Sequence, residues 1–377
     1  MRFSDEQKMI RKVAREFAEK ELLPGVIERD KQAIYPKDEI KKMQEAGFMG
    51  MMVDPAYGGG GMDTLSYVIA MEEISRVDPS CSVVMSVNNS LVCWGLEAWG
   101  SEEQKETFLR PLASGEMLGA FCLSEPEAGS DAISQKTTAV EAGDHYIING
   151  TKNWITNGKY ADVYIIMAVS DPQNKRESIN AFIVPAHTPG LTTGEKEDKM
   201  GIRASDTCSV LLENVKVPKA NRIGSYGSGF RYAMQSLEGG RIGIAAQALG
   251  IARGAYERAL QYSRDRQSFG VPISHHQAIA FKLADMATQI EAARLLVYEA
   301  ARDKDAGRSY KLSGSMAKLF ASEAAMRITT EAVQIHGGYG YVREYHVERM
   351  MRDAKITQIY EGTSEIQKMV ISRLLLK

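Results

Sequence analysis

The spacing of apolar residues changes twice along this chain of 377 residues and divides it into three stretches. Residues 4–117 carry apolar side chains at intervals of three and four, as helices do. Residues 118–222 instead contain short apolar runs separated by turn residues, a pattern that indicates strands. From about residue 229 the helical spacing returns, and this last stretch contains only one proline, Pro272. A helical, then β, then helical order is uncommon, so the order alone narrows the choice of fold.

Capping residues mark helix starts in the first stretch. Ser4 followed by Gln7, and Ser101 followed by Gln104, have the capping-box spacing, and Asp63 can cap a third helix. The last stretch contains long amphipathic runs that begin near residues 230, 274 and 313, which favours a helical bundle.

The middle stretch predicts a compact all-β unit of about 100 residues. Residues 146–151 (YIINGT) indicate a hairpin that turns at Asn149–Gly150, with a second turn at Asn157–Gly158. The uninterrupted apolar run Val163–Val169 indicates a buried strand, and residues 180–185 and 208–212 indicate two more. We therefore predict an α+β protein of three domains, namely helical residues 1–117, a sheet or barrel over 118–228, and a helical bundle over 229–377.

Composition and charge exclude several classes of protein. The chain has 46 basic and 48 acidic residues, a net charge of −2, which argues against nucleic acid as the main partner. The longest apolar run is the seven residues Val163–Val169, whereas a membrane-spanning helix needs about 20. The start of the chain lacks the apolar core of a secretory signal. We expect a soluble protein of a reducing compartment, since its four cysteines fit neither a disulfide framework nor a Cys-x-x-Cys site.

Common catalytic motifs are also absent. The sequence has no Gly-x-Gly-x-x-Gly that opens a helix, no P-loop, no His-Glu-x-x-His and no Gly-x-Ser-x-Gly. His275 and His276 are adjacent, so their side chains diverge, and no metal site is expected.

Four segments combine glycine, hydroxyl, aromatic and charged residues. Residues 121–131 can present backbone N–H groups to phosphates or a polar ring, or form a surface turn. Trp154 and Thr156 share a sheet face and suit a bound planar ring, although a strand tryptophan is commonly a core residue. Arg266 follows a helix and suits phosphate, or belongs to a solvated helix end. In the fourth, Gly337 and Gly338 permit close backbone approach to a ligand, and Glu361 lies beside hydroxyls, where a loop glutamate is ordinarily just solvated.

Together these segments identify a family. The chain resembles the acyl-CoA dehydrogenases over essentially its whole length. The resemblance rests on five stretches in matching order and spacing: residues 123–131 (LSEPEAGSD), 149–157 (NGTKNWITN), Arg266-x-x-Phe-Gly270 followed by Gln277, 334–338 (QIHGG) and 360–367 (YEGTSEIQ). It implies a helical domain, a β domain and a C-terminal four-helix domain.

The resemblance implies FAD, held non-covalently, and an acyl-CoA substrate. The residues expected at FAD are Phe121, Leu123, Ser124, Gly129, Ser130, Trp154, Ile155, Thr156, Arg266, Phe269, Gln277, Gln334, Ile335, His336, Gly337, Gly338, Thr363, Ser364 and Glu365. Those expected at the substrate are Ser130, Glu238, Gly239, Gly240, Arg241 and Gly362. Residues 334–338 are expected to reach the FAD of a neighbouring subunit, as in a homotetramer.

Glu361 matches the catalytic base of the family. It is expected to remove the α-proton of the acyl thioester while the β-hydrogen leaves as hydride to FAD, giving a trans-2-enoyl-CoA. Some branches carry the base immediately before the arginine equivalent to Arg241. Here that position is Gly240, which has no side chain, so the sequence favours Glu361.

Residues 234–245 look most like the short-chain, butyryl-CoA branch, with an electron-transfer flavoprotein as electron acceptor. A branched-chain or glutaryl-type dehydrogenase is the alternative in the same class. A non-catalytic assembly protein on the same fold is the alternative of another class, disfavoured by the intact Glu361 and flavin segments. An oxidase is disfavoured because such chains are usually longer. We expect a bacterial cytoplasmic location, and the mitochondrial matrix stays open for a processed chain.

Overall fold

The computed structural model describes residues 3–376. Within them, helices α1–α14 span Asp5–Phe17, Val26–Gln32, Lys37–Glu45, Thr64–Ser75, Pro79–Ser86, Trp94–Trp99, Glu102–Gln104, Arg110–Ser114, Lys175–Ser178, Gly229–Asp265, Gln277–Asp305, Lys311–His336, Val347–Ile356 and Ser364–Leu375. Strands β1–β10 span Gly119–Cys122, Thr138–Ala142, His145–Thr156, Val163–Val169, Ile179–Pro185, Leu191–Thr193, Thr207–Pro218, Arg222–Ile223, Gln267–Ser268 and Val271–Pro272. The α–β–α order is confirmed.

The predicted helix starts are confirmed by their hydrogen bonds. The Ser4 hydroxyl accepts from the Gln7 N–H at 3.1 Å, and the Gln7 side chain accepts from the Ser4 N–H at 3.1 Å. Ser101 and Gln104 repeat this reciprocal pair. The Asp63 carboxylate accepts from the Ser66 N–H at 2.6 Å and caps α4. Each bond satisfies a donor that a helix N-terminus otherwise leaves unpaired.

The middle part of the chain is a mixed eight-stranded sheet. Seven strands follow the order β6-β7-β3-β2-β4-β5-β8, and β1 pairs with β4. The β1–β4 pair is parallel, and the β4–β5 and β3–β7 pairs are antiparallel. All seven residues of β4 are buried, as its continuous apolar run predicts.

The hairpin predicted at Asn149–Gly150 is wrong, because β3 runs through these residues without turning. The pairing of β3 with β7 shifts register between Ile148 and Gly150, which marks a bulge. A Cβ atom at Gly150 would lie 2.5 Å from the Thr137 Oγ1, so the glycine permits β3 to approach the segment that precedes β2 closely. The actual turn between β2 and β3 contains Gly143, at φ +66°.

Helix α10 connects the three parts of the molecule. One buried cluster joins it to the N-terminal helices and to α11 and α12, through side chains such as Met71, Leu249 and Ile328. A second joins the start of α10 and the N-terminal helices to one face of the sheet, through Val92, Ile165 and Ala233. After α12 the expected bundle continues with two short helices, α13 and α14, rather than with one long helix. Among residues 3–376, no helix has both the length and the apolar character needed to cross a bilayer.

Candidate active site

The loop between α13 and α14 holds Glu361 in a strained backbone conformation. Its φ angle is +52°, in the left-handed region that costs a non-glycine residue about 1–3 kcal/mol. Two side chains hold the next carbonyl group in place: the Lys318 Nζ donates to the Gly362 oxygen at 2.7 Å, and the Gln367 Nε2 donates to it at 2.9 Å. Gln367 also donates to the Glu361 carbonyl at 3.3 Å. The fold thus fixes the backbone on which the Glu361 carboxylate is mounted.

The Glu361 carboxylate lies in an environment that favours its protonated form. Its Oε2 atom is buried and has no hydrogen-bond partner within residues 3–376. Burial raises the pKa of Glu361 to about 7, against the opposing effect of the positive charges of Lys318 and Arg241. A carboxylate with a pKa near neutrality suits a general base that works at neutral pH.

Gly240 on α10 faces this carboxylate directly. A Cβ atom at residue 240 would lie 2.0 Å from the Glu361 Oε2 and 2.8 Å from the Leu91 Cδ2. Glu361 therefore uses the space that a side chain at residue 240 would need. This geometry supports our expectation that the base is Glu361 and that residue 240 contributes none.

Three of the other expected substrate residues, Glu238, Gly239 and Arg241, lie on the same segment of α10, whereas Ser130 lies in the loop after β1 and Gly362 follows Glu361. Glu238 forms an ion pair with Lys311 at 2.8 Å. Arg241 is buried, its only side-chain hydrogen bond within the described chain is a 3.5 Å contact from Nη1 to the Ser315 hydroxyl, and its Nε has no partner there. Two buried polar atoms without partners, Arg241 Nε and Glu361 Oε2, thus lie close enough for their charges to interact. Such atoms are expected where a polar ligand completes a site.

Two of the predicted flavin segments are joined by a buried lysine. The Lys152 Nζ on β3 donates to the Leu123 carbonyl at 3.2 Å and to the Glu125 carboxylate at 2.8 Å. The Asn153 N–H donates to the Ser124 carbonyl at 2.8 Å. The loop after β1 is therefore attached to β3 immediately before Trp154.

Trp154 is exposed, so the alternative that it is a core residue is wrong. Its side chain is 60% exposed at φ +61°, whereas the next residue, Ile155, is 2% exposed. The pairing of β3 with β7 again shifts register here, between Lys152 and Ile155. A bulge that turns an indole outward beside an exposed glycine loop, at Gly129, leaves a flat apolar surface for a ring.

One buried cluster connects the loop after β1 with the Glu361 loop. Leu123 and Leu91 belong to one buried cluster, against which Phe121 and Tyr360 pack. Two of the predicted flavin residues and the residue that precedes Glu361 are therefore brought together by apolar packing.

A second predicted flavin region forms a groove on the C-terminal helices. The groove has a volume of about 600 Å³, and its lining includes Arg266, Ile335, His336, Gly337 and Gly338. The groove residues come from the end of α10 and the segment after it, and from the end of α12 and the segment after it. Arg266 and Ile335 are 69 positions apart in the sequence. In the described part of the chain, a Cβ atom at Gly337 or Gly338 would meet no atom within 4 Å, so the backbone is open to a ligand. An exposed guanidinium beside an open glycine backbone fits a pyrophosphate.

Each of the remaining expected flavin residues is either exposed to solvent, wholly or partly, or hydrogen-bonded within the protein. Phe269 is 96% exposed at φ +53°, and Gln277 and Gln334 are exposed beside the groove residues without lining it. Thr363 caps α14 through the Ile366 N–H, and the Ser364 hydroxyl donates to Glu323 at 2.7 Å. Glu365, Thr156 and Ser130 are at least partly exposed. The open Trp154 surface suits a flat ring and the open glycine groove suits phosphates, and FAD has both groups.

Sequence reasoning missed the buried polar side chains that hold these segments. Lys318, Gln367 and Lys152 are each 0% exposed. Lys318 occupies a position on α12 where its neighbours at three- and four-residue spacing, Gly314 and Ala321, are also buried. A lysine within an apolar helical stripe is the signal that could have identified it.

The comparisons with known proteins agree with this geometry. Family models described as the N-terminal, middle and C-terminal domains of acyl-CoA dehydrogenase match residues 4–116, 120–215 and 227–376. The short-chain specific acyl-CoA dehydrogenase of Clostridium acetobutylicum is 50% identical over 97% of this chain and 97% of its own. The structure of butyryl-CoA dehydrogenase from Megasphaera elsdenii superposes with a TM-score of 0.99 at 49% identity and covers both chains completely.

A further structure, described as the electron transferring flavoprotein of Acidaminococcus fermentans, contains a chain that superposes equally well. Its TM-score is 0.99 at 51% identity, over 100% of this chain and 99% of that one. The three family models together cover most of the chain. The relatives are about 50% identical over nearly its full length. The chain belongs to the acyl-CoA dehydrogenase family.

Proposed function

We propose that this protein is a short-chain acyl-CoA dehydrogenase that converts a saturated acyl-CoA of about four acyl carbons to its trans-2-enoyl-CoA. The observation that carries the proposal is the Glu361 carboxylate, which is buried against Gly240 with a pKa near 7, and whose Oε2 has no hydrogen-bond partner within residues 3–376. The relatives of half-identical sequence that are described as short-chain specific, or as butyryl-CoA dehydrogenase, support the chain length.

Glu361 removes the α-proton of the thioester, and the proton is transferred to its carboxylate. FAD, when bound, supplies the acceptor for the two electrons and the β-hydrogen. Lys318 and Gln367 fix the backbone of the base, because they hold the Gly362 carbonyl. Burial of the carboxylate keeps water from competing for its charge, which strengthens it as a base relative to an exposed glutamate.

The residues proposed to hold FAD non-covalently form two groups. Trp154, Thr156 and the loop of residues 121–130 provide the surface for the flavin ring. Arg266 and the backbone of Gly337 and Gly338 provide the groove for the phosphates. The groove lies on the C-terminal helices rather than beside Trp154, so we propose that it binds the FAD of a neighbouring subunit in a homotetramer. The A. fermentans relative supports an electron-transfer flavoprotein as the acceptor.

The structure also bears on a branched-chain specificity. The absence of a side chain at residue 240 does not open space for a branched acyl group, because the Glu361 carboxylate and Leu91 occupy that space. This favours a straight short chain.

The test is anaerobic reduction of the bound flavin by a panel of acyl-CoAs. Loss of the yellow colour reports the reduction. We expect kcat/KM to be highest for butyryl-CoA and to fall roughly tenfold or more within a few added methylenes, since a chain that does not fit must displace packed side chains at ~1–3 kcal/mol. Isobutyryl-, isovaleryl-, glutaryl-, hexanoyl- and octanoyl-CoA complete the panel. An optimum at octanoyl- or isovaleryl-CoA would contradict the short-chain assignment alone.

Glu361→Gln tests the base, because glutamine keeps the shape and removes the proton acceptor. Flavin reduction should slow by on the order of 10²–10⁴ while flavin content is retained. Reduction at the wild-type rate would require another base.

A further inference from the structure

The site contains a buried titratable side chain that the proposed chemistry does not use directly. Lys318 is 0% exposed on α12, and the one hydrogen bond of its side chain within residues 3–376 goes to the Gly362 carbonyl at 2.7 Å. Burial of an ammonium group costs several kcal/mol unless charges compensate it. Lys318 therefore lowers the stability of the protein unless nearby charges compensate its ammonium group, and the candidate base Glu361 is one such charge.

The titratable groups around Lys318 and Glu361 come from four helices and from the Glu361 loop itself. Arg241 on α10 faces both of them, and Glu323 on α12 and Glu365 on α14 face Lys318. Tyr67 on α4 faces Glu361, as does Tyr360 of the same loop, and burial raises the pKa of both phenols far enough to keep them neutral. Lys318 and Arg241 are therefore the two cations that face the carboxylate.

Only one of these two cations is attached to the loop. The described hydrogen bonds of Arg241 reach Ser315 on α12 and no atom of residues 357–363. Lys318 bonds to the residue that follows Glu361, so its charge stays at a fixed place relative to the carboxylate.

We propose that Lys318 is a positioning residue for Glu361: its buried ammonium orients the Gly362 carbonyl and supplies the positive charge that keeps the neighbouring carboxylate ionised, and so able to accept a proton, at neutral pH. This inference rests on the proposed function, since it concerns the same base.

The burial of both groups agrees with this role. Burial lowers the pKa of Lys318 to about 8 and raises that of Glu361 to about 7, while each group's charge acts against the effect of burial on the other. Between these two pKa values Lys318 carries its positive charge and Glu361 is ionised. The proposal requires both, because the ionised carboxylate accepts the proton and the ammonium group stabilises it.

A matched pair of variants separates charge from hydrogen bonding. Lys318→Gln and Lys318→Arg both keep a donor for the Gly362 carbonyl, but only arginine keeps the charge. Gln367→Leu removes the neutral donor to the same carbonyl, and Lys219→Met removes an exposed lysine of the β domain as a control.

The measurement is the rate of flavin reduction by butyryl-CoA from pH 5.5 to 9 in single turnover. In wild type the rate should rise through pH 7 as Glu361 ionises. In Lys318→Gln the rise should move up by about one pH unit or more, which lowers the rate at pH 7 about fivefold and largely restores it at pH 9. Lys318→Arg and Lys219→Met should keep the wild-type midpoint, and Gln367→Leu should slow the reaction at every pH without moving the midpoint.

A second readout does not depend on turnover. An acid whose pKa is raised by folding binds its proton more tightly in the folded state. The folded protein therefore loses stability as the pH rises from the acid's pKa in the unfolded chain towards its pKa in the folded one. The Tm difference between each protein and its Glu361→Gln counterpart should therefore fall up to about pH 7 in wild type. In the Lys318→Gln background it should continue to fall to about pH 8.

An unchanged midpoint in Lys318→Gln, an equal shift in Lys318→Arg, or loss of flavin from both variants would assign Lys318 a purely structural role and overturn the proposal. If no acyl-CoA bleaches the wild-type flavin, the proposed function fails, and the Tm differences still decide whether Lys318 sets the ionisation of Glu361.

Discussion

Replacement of Gly240 with alanine should displace the candidate base without removing it. The added Cβ atom would lie 2.0 Å from the Glu361 Oε2, and ordinary contact begins at 3.4 Å. The carboxylate must therefore move by about 1.4 Å, because the Cβ is attached to the backbone of the long helix α10 and cannot retreat. Leu91, at 2.8 Å from the same Cβ, limits the directions in which the new methyl group can be accommodated.

The expected loss of rate follows from that displacement. A misplacement of about 1 Å at a reacting group can cost on the order of 10²-fold in rate. Stability should change less, because crowding costs about 1–3 kcal/mol whereas exchange of glycine for alanine within a helix returns up to about 1 kcal/mol. The variant should thus fold, retain flavin and be reduced slowly.

The assay is single-turnover flavin reduction by butyryl-CoA, together with flavin content and Tm. Gly314→Ala is the matched control, since it also introduces alanine into a long buried helix but meets its nearest neighbour, Ile242, at an ordinary 3.5 Å. We expect Gly314→Ala to react at the wild-type rate. If Gly240→Ala reacts within about twofold of wild type, the placement of the carboxylate is not what limits the reaction, and our account of residue 240 is refuted.

Three further predictions concern the flavin segments and the assembly. Lys152→Met should destabilise the protein by ~3–5 kcal/mol in denaturant unfolding, since it leaves Glu125 buried without its partner; Lys136→Met, which removes an exposed ion pair, should cost less than about 1 kcal/mol. Arg266→Met should weaken FAD binding by about 10–100-fold in a titration of the flavin-free protein, through loss of a charged hydrogen bond, whereas Arg264→Met should leave it unchanged. The purified protein should be yellow and have a mass near four times 41.6 kDa in light scattering, and a colourless monomer would contradict the assembly.

The sequence predicts those features that depend on neighbours along the chain. Helix starts at Ser4 and Ser101 follow from residues three positions apart, and the buried strand β4 follows from its own apolar run. The hairpin failed for a physical reason, because Asn149–Gly150 suits a bulge as well as a two-residue turn. Only the partner strand β7, more than 50 residues later, decides between them.

The candidate site divides in the same way. Glu361 could be identified because its loop carries a local motif, whereas its backbone strain and its burial depend on α10 and α12. The apolar neighbours of Lys318 on its helix could have marked the residue as unusual, but not its partner, which is a carbonyl group 44 positions away. Hydrogen bonds from buried side chains to backbone carbonyl groups leave little pattern in sequence, because any residue can supply the carbonyl.

Burial and charge act in opposite directions on Glu361, and the reaction depends on their balance. A glutamate in water has a pKa near 4.5 and is a weak base. Burial without cations would raise the pKa far enough to keep the carboxyl group protonated at neutral pH, and a protonated carboxyl group cannot accept the α-proton of the substrate. Lys318 and Arg241 limit that rise, so that the group is both ionised and basic near pH 7. Substitutions that change how deeply the loop of residues 357–363 is buried should therefore alter the rate, as substitutions at the two cations do, and in the direction in which each change moves the pKa of Glu361.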